Sequence, residues 1–90
     1  MSVIAEDMDR KALENRAKWG SQDYATLGLA VAEEAGELAQ AILQHRHEGR
    51  PEIRIAEEAL DLGALCIQVV LLWHELMVTR TLADAKAVAS

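Results

Sequence analysis

The sequence has a single cysteine, Cys66, so no internal disulfide can form. Cys66 sits in an apolar run, reads as a small core residue, and fits a reducing, cytoplasmic setting. Basic residues are also scarce: nine Lys and Arg stand against fifteen Asp and Glu, a formal charge of −6. That deficit argues against a nucleic acid polymer as partner, because gripping a phosphate backbone needs a basic footprint. It leaves open a small phosphate ligand held through a metal. No basic-then-apolar leader opens the chain, so no secretory signal is expected. The longest apolar run, Leu62 to Trp73, is broken only by Gln68. It is shorter than the about 20 residues a bilayer span needs, so no membrane partner is expected. No stretch alternates as a strand, and no segment is of low complexity. A P-loop, a dinucleotide glycine fingerprint, an EF-hand loop and a Glu-x-x-His pair are all missing. No Ser or Cys has a neighbouring base to activate it as a nucleophile.

What remains is helical periodicity over one domain, residues 1–90. The expected fold is all-α, a bundle-like protomer of four helices, two long and two shorter. The first spans Met1 to Lys18, with Ser2 as N-cap candidate. Gly20 suits a left-handed helix end, and Ser21 or Asp23 can cap the second helix, about Asp23 to His47. Gly28 and Gly36 lie inside that helix at a cost of about 1 kcal/mol each relative to Ala. The expected compensation is close approach by a helix or ligand. Gly49 and Pro51 end the helix, and His45 and His47, which do not share a face, read as a polar helix end. The third helix starts near Pro51 and runs to about Val78. A short fourth begins at Thr79 or Thr81. The third is apolar nearly all round through Leu62–Trp73, more than one 90-residue chain can cover, so a homodimer or homotetramer is expected. Trp19 and Trp73 read as packing residues.

Carboxylates interrupt two of the apolar stripes. Steps of three and four through Glu34 give Leu27, Val31, Leu38 and Ala41; the same steps from Glu58 give Leu62, Leu65, Val69, Leu72 and Leu76. Glu37 and Asp61 each follow three residues later on the same faces. Four carboxylates turned toward a core cannot stand alone, since one unpaired buried charge costs several kcal/mol or becomes protonated. A hard divalent cation resolves the conflict, because oxygen-only ligand sets suit magnesium, manganese or calcium. The competing resolution is a set of structural ion pairs with Lys or Arg.

The paired segments Glu33-Glu34-Ala35-Gly36-Glu37-Leu38 and Glu57-Glu58-Ala59-Leu60-Asp61 resemble the motif of the all-α nucleoside triphosphate pyrophosphohydrolases of the MazG type. Lys18-Trp19-Gly20-Ser21-Gln22 is similar to the lead-in of some small members. The resemblance covers roughly Trp19 to Leu76. It implies magnesium, with manganese as the alternative ion, on Glu34, Glu37, Glu58 and Asp61. It implies Glu33 as the group that orients or deprotonates the attacking water, and Lys18, Trp19 and Gln22 as substrate contacts. The implied reaction is cleavage of a nucleoside triphosphate or related nucleotide to monophosphate and pyrophosphate, with house-cleaning of modified nucleotides as its purpose. Relatives hold phosphates with cations near the C-terminus, where this chain has only Lys86 after Arg80. Lys11, Lys18, Arg46, Arg50, Arg54 and Arg80 are the substitutes, and spacing does not choose among them. The rival expectation is a non-catalytic helical module that binds a partner, metal or nucleotide without turnover.

Overall fold

The computed structural model describes residues 3–89 and is helical throughout, with no strand among the described residues. Three helices follow one another: α1 over Val3–Trp19, α2 over Tyr24–Glu48 and α3 over Ile53–Ala89. Ser2 lies outside the described residues. Gly20 adopts φ 74° and its N–H bonds to the Arg16 carbonyl at 2.9 Å, closing α1. Asp23 is the N-cap of α2: its Oδ1 accepts from the Thr26 N–H at 2.8 Å, which satisfies one of the orphan amides of the first turn. That bond holds the Asp23 carboxyl below its usual value. Gly49, at φ 67°, caps the other end, its N–H returning to the Gln44 carbonyl. The short connection to α3 is clasped by His45, whose Nδ1 donates to the Arg50 carbonyl at 2.7 Å while Nε2 lies 3.2 Å from Glu52.

The fourth helix expected after Val78 does not exist as a separate element. α3 continues without a break to Ala89, about 55 Å for its 37 residues. After Gly63 no Gly or Pro interrupts α3. The two threonines expected to start a new helix instead donate their hydroxyls backward, Thr79 to the Glu75 carbonyl and Thr81 to that of Met77, each at 2.9 Å. A hydroxyl satisfied by the preceding turn is compatible with a helix interior and leaves no cap to form.

α3 is the element on which the other two lie, and among the described residues α1 and α2 do not pack on each other. Contacts in the order Lys11–Asp61, Asn15–Gln68 and Arg16–Glu75 run α1 parallel to α3. α2 is antiparallel to it, with Glu34 and Glu37 beside Glu58 and Leu27 near Leu72. The buried apolar core is small: Ala12, Leu27, Ala41, Ala64 and Leu65. Alanines at these seams let helix axes approach closely. Among the glycines it is Gly63 that meets a neighbour, since an added Cβ there would lie 2.6 Å from Met8 Sδ. The two glycines expected to mark a contact, Gly28 and Gly36, face open space instead, with nothing within 4 Å of a Cβ on either. They lie on the side of α2 turned away from α3.

A third face of α3 stays uncovered. Cys66 is exposed rather than part of the core. Val70 and Trp73 are more than half exposed, and Met77 joins them on the same side. Both tryptophans were expected to pack, and within this chain each is more than half exposed. The apolar run that was too short to span a bilayer also lies inside a longer helix. By length and composition α3 is able to cross a membrane, so that run does not exclude one.

Candidate functional site

The two acidic segments meet where α2 crosses α3. Glu34, Glu37 and Glu58 each bring one carboxylate oxygen to within 4.8 Å of the others. The register expected from the three-and-four spacing therefore does bring these three together. Asp61, the fourth, lines the neighbouring cavity but is held by α1: its Oδ1 meets the Lys11 ammonium. Glu58 is divided. One oxygen lies 3.5 Å from Arg54, one turn earlier on α3, and the other is buried without a hydrogen-bond partner. Glu34 Oε2 is likewise buried and unpartnered.

Two orphaned carboxylate oxygens are costly unless something binds them. The proton is one solution. Burial pushes the Glu34 carboxyl up to about 7, with the Glu58 carboxyl in hydrogen-bond reach and the Glu37 and Asp61 charges adding to it. The other solution is a cation, and an oxygen-only donor set on two helices fits magnesium or manganese. The residues present thus fit such an ion through Glu34, Glu37 and Glu58. Arg54 and Lys11 also realise part of the ion-pair alternative, so the cluster is partly neutralised from within.

Beside the acids lies an open cavity of about 500 Å³, in the gap between α1 and α2 above α3. Its acidic end carries Glu33, Glu34 and Asp61; Lys11, Asn15, Trp19, Gln22 and Gln68 line the rest. Glu33 is exposed and reaches the cavity rather than the carboxylate triad. Trp19 and Gln22 stand on the cavity wall. Lys18 does not line it; its ammonium rides over the Trp19 ring, 4.9 Å from the centroid. Among the six candidate cations, the structure singles out Lys11 as the one in the cavity. The Asp61 hydrogen bond, partly opposed by burial and joined by the Glu14 and Glu34 charges, raises its ammonium above the ordinary value.

Sequence reasoning missed Asn15 and Gln68. Gln68 is buried, and its Oε1 accepts from Asn15 Nδ2 at 2.9 Å. The available signal was Gln68 itself, the one polar residue in the apolar run. No family model matches the chain, and no curated protein or solved structure matches it either.

Proposed function

We propose that the protein is a magnesium-dependent nucleotide pyrophosphohydrolase, cleaving a nucleoside triphosphate or related nucleotide to monophosphate and pyrophosphate. The observation that carries this reading is the convergence of Glu34, Glu37 and Glu58, with two buried unpartnered oxygens, beside a cavity large enough for a nucleotide. The MazG-type motif on the same residues supplies the reaction class. A divalent ion bound there reverses the local field that would otherwise repel a polyanion, and supplies Lewis-acid stabilisation of phosphate charge. Around it, Glu33 orients the attacking water and takes its proton. Lys11 offers the cavity's cationic contact to phosphate, and Trp19 and Gln22 contact the rest of the substrate. The uncovered face of α3 fits a homodimer or homotetramer, which on this reading works in the cytoplasm.

A second reading keeps the fold without turnover, as a helical module binding a partner, metal or nucleotide. The ion pairs Lys11–Asp61 and Arg54–Glu58 favour it, since they neutralise part of the cluster. Magnesium titration followed by thermal melting and a pyrophosphate-release assay over a nucleotide panel separate the two. The enzyme gains stability with magnesium as RT ln(1 + [L]/Kd) and releases pyrophosphate, and Glu37→Gln loses both. Stabilisation without turnover of any nucleotide selects the binding module, and no response to magnesium removes the metal site altogether.

A further inference from the structure

The end of the cavity away from the carboxylates is built from neutral amides. Asn15 on α1 and Gln68 on α3 share one hydrogen bond of 2.9 Å across the helix seam, and both line the cavity. Gln68 is only 4% exposed, so its amide is fixed in place by the helices around it. A carboxamide carries an acceptor oxygen with two lone pairs and a nitrogen with two N–H donors. The shared bond uses one Asn15 N–H and one Gln68 lone pair, which leaves the Asn15 oxygen and the Gln68 nitrogen as the atoms engaged in no bond. If both amides are turned over, the leftover groups exchange places. In either orientation the couple offers one donor and one acceptor side by side, and neither side chain makes another hydrogen bond among the described residues.

We infer that the Asn15–Gln68 couple reads the nucleobase, so that the substrate is a nucleotide whose base edge presents an adjacent acceptor and donor. The inference rests on the nucleotide reading above. If the phosphates lie at the acidic end, the sugar follows and the base reaches toward the amides. The edge of a base farthest from its sugar is the Watson–Crick edge, where each base carries an acceptor beside a donor. A buried amide that loses its partner is penalised, so a site of this kind rejects a substrate that cannot complete the bonds. Asn15 and Gln68 are specificity residues here and take no part in the bond cleavage.

The test compares the four deoxynucleoside triphosphates, inorganic tripolyphosphate and an N1-methylated adenosine triphosphate by magnesium-dependent hydrolysis, on wild type and Asn15→Asp. Wild type should prefer the unmodified nucleotides over both tripolyphosphate and the methylated base by roughly tenfold or more in kcat/KM. In Asn15→Asp, the aspartate accepts from the Gln68 nitrogen and the couple shows two acceptors. Guanine, with two adjacent donors, should then gain on the other bases by roughly tenfold, a change that mere loosening of the seam would not produce. A wild type that turns over nucleotides, tripolyphosphate and the methylated base equally overturns the inference and leaves the pyrophosphohydrolase reading intact. So does a variant that keeps the wild-type order of bases. If Asn15→Asp fails to fold, the methylated-base comparison on wild type decides alone. Absence of both hydrolysis and nucleotide-induced thermal shift overturns the inference together with the reading beneath it.

Discussion

Lys11 of α1 is ion-paired to Asp61 of α3, so the helix farthest from the motif reaches into the acidic cluster and removes one of its four carboxylates. Lys11 therefore couples α1 docking to the charge of the site. Both side chains are partly exposed, 44% and 29%, which keeps the pair in the range of surface bridges, about 1 kcal/mol or less. Lys11→Met should lower the stability of the metal-free protein by about that amount in urea unfolding. Added magnesium should recover the loss, because the freed Asp61 is then available to the ion. A variant that magnesium does not rescue would place Asp61 outside the cation's reach.

The acids should also give the protein a distinctive pH profile. The folded value of Glu34, about 7, lies above its ordinary value of 4.5, chiefly because the carboxyl is buried. Between those values the folded state holds a proton that the unfolded state has lost. The stability linked to Glu34 is thus fully present below about 4.5 and is lost as pH rises through about 7. Melting temperatures of the metal-free protein should fall across this window. Glu34→Gln should flatten the profile and raise stability at pH 8. Magnesium should displace the proton, detectable with a pH indicator in weakly buffered solution at pH 6.5.

Glycines at three positions should respond in different ways. Gly36→Ala adds a methyl in open space, so on helix propensity the protomer should gain up to about 1 kcal/mol. Gly63→Ala gains the same propensity but drives Met8 aside, so its net effect should be near zero or unfavourable. Gly49→Ala places a side chain at φ 67° and should cost about 1 kcal/mol or more. Chemical denaturation of the three variants checks the order. A destabilised Gly36→Ala would mean that something covers the outer side of α2.

The uncovered side of α3 bears on assembly. Val70 and Trp73 expose apolar surface that a second copy of the chain would bury. Sedimentation in magnesium buffer should give a mass of two or four chains, and Val70→Glu with Trp73→Glu should shift it toward one. Partition of the wild type into detergent micelles, with no assembly in their absence, would instead point to the membrane for which α3 has the length and composition.

Much of this molecule could be read along the chain because helix periodicity is a local property. The three-and-four spacing placed Glu34 and Glu58 on core-facing stripes, and the structure brings both to the α2–α3 seam. Asp23, Gly20 and Gly49 announced the helix ends because capping depends on the few residues beside it. The continuity of α3 was less visible, since a threonine that caps a helix and one that bonds backward within it look alike in sequence. Most other relations between helices were not legible. Which glycine touches a neighbour, which cation enters the site, and that Asn15 meets Gln68 across 53 positions depend on axial offset and rotation. Periodicity fixes which side of a helix turns inward; only packing decides what it meets there, because the offset between two helices is set by the summed fit of all their side chains rather than by any one stretch of sequence.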